Sequence, residues 1–219
     1  MKFSFVIPAY NNWSGLHQLL WDIYKNCSIP DEVIIMDDDS PDPAFLTGLS
    51  WWMEQDMLPI KHVRNMDNMG FLLNSNKGLR MAMGDIVCLV STDVRIHKDV
   101  TKLPEMDGVW GGRYLDWDTG WNTFGKRVFP YLEGWFLLTS KKIWKDIGYF
   151  DESFAPNDFE DVDISTTALS KGYRLNCFAE GYVFHVGAQT IGYNPEREAL
   201  TVRNRKKFED KWVKKVKAS

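Results

Sequence analysis

The chain has 219 residues, 44% of them hydrophobic and 26% charged, with a net charge of −4. At about 150 residues per domain this is one domain with at most a small appendage, and collagenous, disordered and low-complexity classes are excluded. The charge is uneven: nine Lys or Arg against three acids lie from Arg197 onward, leaving an acidic body that excludes a broad nucleic-acid surface. No apolar run approaches the ~20 residues of a spanning helix, and the stretch from Met1 to Pro8 is too short for a secretory signal. A cytoplasmic protein is expected. Cys27, Cys88 and Cys177 are widely spaced and odd in number, which predicts reduced, buried thiols rather than a disulfide framework or a thiolate zinc site.

The first half predicts strands and helices in alternation. Phe3 to Ile7 is a short apolar run stopped by Pro8, and Leu16, Leu19, Leu20, Ile23 and Tyr24 follow at helical spacing. Glu32 to Met36 is a second strand, ending in the acidic turn from Asp37 to Asp42, and Pro43 can open the next helix. Ile60 to Arg64 predicts a third strand and Phe71 to Met83 a helix. Ile86 to Val90 is apolar throughout, as a strand buried on both faces is. Repeated strand-helix units of this kind imply an α/β fold with a parallel sheet covered on both faces.

After Asp93 the rhythm breaks. Strands are expected at Val109 to Gly112 and Trp135 to Thr139. Between them lies a Gly- and aromatic-rich loop over a cleft, holding Trp117, Trp121, Phe124, Phe129 and Tyr131. Helices are expected at Ser140 to Ile147 and Phe159 to Lys171, a last strand at Tyr182 to His185, and a terminal helix from Pro195 to Lys217. No repeat or flexible linker divides the chain. It reads as one unit over 1–219: a nucleotide-binding half (1–94), an acceptor-side half (95–194) and a basic C-terminal helix (195–219).

In open α/β sheets ligands bind beyond the carboxyl ends of the parallel strands. The residues there are Pro8, Ala9 and Tyr10 after the first strand, Asp37, Asp38 and Asp39 after the second, and Ser91, Thr92 and Asp93 after the fourth. Acids in such a crevice repel bare phosphate, so a metal-bridged phosphate or a hydrogen-bonded sugar or base is the expected ligand.

Seven motifs occur in an order that resembles family 2 glycosyltransferases: Phe5-Val6-Ile7-Pro8-Ala9-Tyr10; Val33-Ile34-Ile35-Met36-Asp37-Asp38-Asp39-Ser40; Asn68-Met69-Gly70 with Asn76-Lys77-Gly78; Gly84-Asp85-Ile86; Ser91-Thr92-Asp93-Val94; Gly148-Tyr149-Phe150-Asp151-Glu152; and Phe159-Glu160-Asp161-Val162-Asp163. The resemblance implies a GT-A fold, a UDP-, dTDP- or GDP-linked sugar donor, Mn²⁺ or Mg²⁺, and inverting transfer to a hydroxyl of a glycan or lipid-linked saccharide. Carried over residue by residue, it implies donor contacts at Pro8, Ala9, Tyr10, Asp37, Asp38, Asn68, Gly70, Asn76 and Asp93. It further implies metal ligation by Asp93 and His185, acceptor contact at Trp135, and catalysis by Asp161 as base with Glu160 beside it.

An in-line displacement needs a carboxylate to take the acceptor's proton opposite the leaving diphosphate, and neighbours on a helix diverge by ~100°, so one of the pair is chosen. Two departures stand out. Ser91 replaces the first acid of the family's Asp-x-Asp element, and Thr166 and Thr167 stand where an arginine is common. They support the rival reading, an inactive nucleotide-sugar or glycan-binding module. A sugar-1-phosphate nucleotidyltransferase is disfavoured, since Pro8 to Asn12 is no basic, Gly-rich phosphate loop.

Other features have plainer readings beside the functional one. Asn157 or Asp158 can be an N-cap, and Asp163 a helix-surface charge. Phe208, Trp212 and Val216 fall at i, i+4 and i+8 on a basic helix, a pattern that suits either packing on the body or peripheral contact with an anionic membrane.

Overall fold

Strand β1 (Phe3–Ala9) is buried along its whole length, and its neighbours β2 (Glu32–Asp37) and β4 (Ile86–Val90) are too, so each carries apolar side chains on both faces. The computed structural model describes residues 1–102, 106–187 and 195–214. Between the strands run α1 (Trp13–Asn26), α2 (Pro43–Gln55), β3 (Ile60–Arg64) and α3 (Phe71–Met81). Local chemistry sets these boundaries. The Asn12 side chain accepts from Gly15 N at the start of α1, and Asp42 caps α2, whose first residue is Pro43.

The second half adds β5 (Val94–Ile96), β6 (Gly108–Gly111), β7 (Tyr114–Leu115), β8 (Thr123–Phe124), β9 (Arg127–Val128), β10 (Tyr131–Leu132) and β11 (Phe136–Ser140). Then come α4 (Lys141–Ile147), a 3₁₀ turn at Glu152–Phe154, α5 (Glu160–Ser170), β12 (Arg174–Cys177), β13 (Val183–His185) and α6 (Pro195–Phe208), which runs on into a π turn at Glu209–Val213. The central sheet has seven strands in the order β12-β6-β11-β4-β1-β2-β3, and only β11 runs antiparallel to its neighbours.

Alternation along β1 divides the core in two. Phe5 and Ile7 join Leu16, Leu20, Phe45 and Trp52 of α1 and α2 on one face. Val6 faces the other cluster, with Leu72, Trp144, Val162 and Phe208.

Several expectations shift. The helix after Gly70 ends at Met81, and strands β5 and β12 and the small ribbons β7–β10 and β8–β9 form where a loop or nothing was expected. Two-residue strands carry too short a pattern to read. Cys88 is buried, but Cys177 is exposed on edge strand β12, against the expectation of three buried thiols. Asp158 does not cap α5; Phe159 does, in a left-handed conformation with no side-chain cap. Asp163 is buried rather than on the surface. The apolar stripe of the C-terminal segment is spent on the body: Phe208 is fully buried, and Trp212 packs on the same core and donates to Asp163 Oδ1 at 2.7 Å. Two of the three apolar side chains of the membrane reading are therefore unavailable to a bilayer, while Val216 lies outside the described residues, as does the last part of the expected helix. No helix among the described residues is long and apolar enough to cross a membrane.

Candidate active site

A cavity of about 820 Å³ opens where β1, β2 and β4 end, within the size range of small-ligand sites. Of the residues singled out from sequence it gathers Pro8, Ala9, Tyr10, Asp38, Asn68, Gly70, Asp93, Trp135, Glu160, Asp161 and His185 into one lining. Two do not reach it. Asp37 is fully buried behind the strand ends, where it accepts from Arg64 Nη1 at 2.7 Å and Ser40 N at 2.8 Å and faces His62 Nε2 at 3.2 Å. Asn76 is buried in α3 and staples Phe150, donating to its carbonyl at 2.8 Å and accepting from its N–H at 3.0 Å. Both are structural in their contacts: a side chain one turn or one residue away from a cleft can face inward, and sequence spacing alone does not say which.

The loops around the cleft are fixed by its own polar groups. Asp38 accepts from Met69 N and Gly70 N at 2.9 and 2.8 Å and from Asn65 Nδ2 at 2.8 Å. Gly70 sits at φ 81°, and a Cβ there would come within 2.8 Å of Pro156 Cβ, so this turn requires glycine. Asn12 Nδ2 donates to Thr92 Oγ1 at 3.0 Å, joining the loops after β1 and β4.

Asp93 and His185 meet across the β5–β13 ribbon, whose register pairs His185 with Val94. The Asp93 Oδ2 to His185 Nε2 distance is 3.2 Å, and the imidazole stacks on Trp135 with centroids 4.9 Å apart and planes 9° from parallel. Trp135 Nε1 in turn donates to Glu133 at 2.8 Å. His185 is therefore a cleft residue held on two sides, rather than a satisfied core histidine.

Glu160 and Asp161 open α5, and both line the cleft. Asp161 accepts from Val162 N at 2.8 Å and from Gly134 N at 3.3 Å, and a Cβ on Gly134 would stand 3.3 Å from that of Asp161. Burial is the main force on its carboxyl and Glu133 adds to it; against two backbone N–H bonds they push it up to about 7. Glu160 is buried, its Oε2 has no hydrogen-bond partner, and burial together with the Asp161 charge holds it well above the usual carboxylate range. Both carboxyls are thus shifted the same way, toward the protonated form.

The C-terminal helix α6 braces this segment. Asn204 Nδ2 donates to the carbonyls of Phe154, Asn157 and Asp158, and Arg197, which lines the cleft, pairs with Asp158 at 3.1 Å. Lys211 bridges Asp151 and Asp163 at 2.8 and 2.9 Å. Arg113, Glu133 and Arg197 are lining residues that no reading of the sequence included; Trp117 and Trp121, on the loop expected over the cleft, line it too rather than packing in the core. For the arginines no local motif points inward, since each comes from a loop or helix that only tertiary packing folds over the cleft.

A family model described as glycosyl transferase family 2 matches residues 4–160. The chain belongs to that family. Among curated relatives, an uncharacterized glycosyltransferase, YfnE of Bacillus subtilis, is 33% identical over 101 residues, which is 46% of this chain and 25% of the relative. The amylovoran biosynthesis glycosyltransferase AmsB of Erwinia amylovora is 31% identical over 99 residues, 45% of this chain and 33% of that protein. The matches thus span a third or less of these curated relatives. Among solved structures, the mannosyltransferase PcManGT of Pyrobaculum calidifontis, in complex with GDP-Man and Mn²⁺, has a TM-score of 0.66 at 19% identity, covering 86% of this chain and 58% of that one. The S. aureus TarS 1-349 structure in complex with UDP has a TM-score of 0.62 at 20% identity, covering 94% and 64%. At these identities the likeness is one of fold, and the seven-stranded, mostly parallel sheet of this family 2 member is the GT-A fold.

Proposed function

We propose that this chain transfers a glycosyl group from a nucleoside-diphosphate sugar to an acceptor hydroxyl with inversion, and that Asp161 is the base. The observation that carries the reading is the pair at the start of α5: two buried carboxyls lining the cleft formed by the strand ends, one pushed up to about 7 and the other with an oxygen that has no hydrogen-bond partner. A base tuned near the working pH is deprotonated often enough to act and basic enough to accept. The acceptor oxygen attacks the anomeric carbon, the bond to the diphosphate breaks on the opposite face, and the acceptor's proton passes to Asp161. Glu160, whose buried Oε2 has no hydrogen-bond partner, is the neighbouring group that orients the acceptor or holds Asp161.

Residues 1–94 supply the nucleoside end, through Pro8, Ala9, Tyr10, Asp38, Asn68 and Gly70. Residues 95–194 supply the acceptor side, with Trp135 in contact there, and the helix from Pro195 onward braces that side. The donor set of one carboxylate oxygen and one imidazole nitrogen, Asp93 and His185, fits Mn²⁺ better than Mg²⁺. Asp93 and His185 would hold the ion from the protein side, with the donor's diphosphate and water as further ligands. When bound, the ion neutralises charge that develops on the leaving diphosphate. The solved structures of similar fold that hold GDP-Man with Mn²⁺, or UDP, support a donor of this class.

The test is a thermal-shift panel of UDP, GDP and dTDP with and without Mn²⁺, because a ligand that binds the native state alone raises Tm by mass action. A metal-dependent rise with one nucleotide is expected. No rise with any of them overturns the donor reading.

A further inference from the structure

We propose that Trp117 and Trp121 form a rigid stacking platform for a saccharide, so that the acceptor hydroxyl is carried on a sugar ring. The inference rests on the glycosyl-transfer reading for its meaning, but not for its test.

Both tryptophans line the cleft, and they remain 52% and 43% exposed. Neither belongs to the two apolar clusters or packs against them among the described residues. They are not spent on the core, unlike Phe124 and Phe129 nearby, which close on Phe208.

The segment that presents them has little regular structure, yet its backbone is pinned from several directions. Asn122, fully buried, accepts from Thr119 N and Oγ1 at 3.1 and 2.9 Å and donates to the carbonyls of Trp117 and Phe129 at 3.0 and 3.1 Å. Arg205, from α6, donates to the carbonyls of Gly120, Trp121 and Thr123 at 2.6–2.9 Å and lies 4.4 Å from the Phe124 ring centre. Asp118 closes the turn by accepting from Gly120 N and Thr123 Oγ1 at 2.8 and 2.7 Å.

Ordering two large rings at a surface costs conformational entropy and leaves apolar area in water, and it strengthens binding only when a ligand meets them already in place. A pyranose suits such rings. Its apolar C–H face carries partial positive charge toward the negative face of an indole, while its hydroxyls point outward to polar groups. Those groups are present: Arg113 and Glu133, 3.6 Å apart, are in the same lining, as are Thr119 and Tyr131. Tyr131 also locates the platform. It lines the cleft together with Thr119 of the pinned segment, and the backbone just after it reaches the start of α5, where Gly134 N donates to Asp161 at 3.3 Å, so the platform stands on the Asp161 side of the cleft.

The experiment is retention of the fluorescently labelled full chain on an array of immobilised oligosaccharides, compared among wild type, Trp117→Ala, Trp121→Ala and Trp117→Phe. UDP, GDP and dTDP thermal shifts are measured on the same samples. Wild type is expected to be retained on a subset of glycans. Each alanine variant should weaken retention about tenfold or more, as truncation of a buried aromatic anchor does, and Trp117→Phe should keep part of it. Unchanged nucleotide shifts in the variants exclude misfolding. No retained glycan for wild type, or equal retention by the alanine variants, overturns the platform. Glycan retention without any nucleotide shift leaves the platform standing and defeats the donor reading instead.

Discussion

The strand ends and the start of α5 treat their carboxylates in opposite ways. On the side of β1–β3, burial pushes Asp37 up, but hydrogen bonds from His62, Ser40 and Arg64 outweigh it and hold the carboxyl at about 2. Asp38 is likewise filled, by Asn65 Nδ2 and two backbone N–H groups. At the start of α5 burial wins: Asp161 rises to about 7, and Glu160 keeps an oxygen with no partner. The acids with several donors make a stiff frame, and the pair at α5, where burial outweighs the donors supplied, is the one proposed to handle the acceptor's proton. Stability and chemistry are thus built from the same residue type, distinguished by whether the fold supplies donors.

That contrast can be broken or sharpened in four ways. The largest effect is expected from Asp161→Asn, which keeps the shape and removes the base: transfer should fall by about 10²–10⁴, with the nucleotide thermal shift intact. Loss of nucleotide binding as well would place Asp161 in the donor site instead. Next, Arg64→Ala leaves buried Asp37 without its guanidinium, and urea unfolding at pH 7 should show a measurable loss of stability. Because the folded Asp37 carboxyl is depressed, its contribution is present above the unfolded value near 4 and fades as pH falls toward 2, so the gap between variant and wild type should close there.

Asp93→Ala comes third. It should reduce the nucleotide shift about tenfold in apparent affinity when Mn²⁺ is present and little when it is absent; an equal loss in both conditions would remove Asp93 from the metal site. The smallest effect is one of pH on stability. A raised acid stabilises the fold while protonated, so wild type loses stability as pH rises from about 4 through 7. Asp161→Asn should therefore show a higher Tm than wild type at pH 8 and little difference at pH 4. Transfer by wild type should rise over the same interval as the base deprotonates, and a flat rate profile would separate the titration from the chemistry.

Much of the nucleotide half was legible from pattern. Its strands are short apolar runs ended by Pro8, by the acidic turn after Met36 and by Ser91, and strand ends of a parallel sheet converge by geometry, so Tyr10, Asp38 and Asp93 could be placed in one crevice before any coordinates. The second half was less so. Strands β7–β10 are two residues each, too short for a period, and β12 joins the sheet by pairing with β6, Arg174 lying opposite Gly108 from far earlier in the chain.

The amino-acid sequence by itself determined the family motifs, the strand-helix order of residues 3–90 and the identity of the acids available for chemistry, because local periodicity and turn residues act over a few positions. Tertiary structure alone decided which acids would be satisfied. It turned Asp37 and Asn76 away from the cleft, buried Glu160 without a partner, brought Arg197 and Arg205 in from the last helix, and left Trp117 and Trp121 exposed while Phe208 and Trp212 were taken into the core. Each of these outcomes depends on donors and surfaces that arrive from distant segments, and no local pattern encodes their arrival.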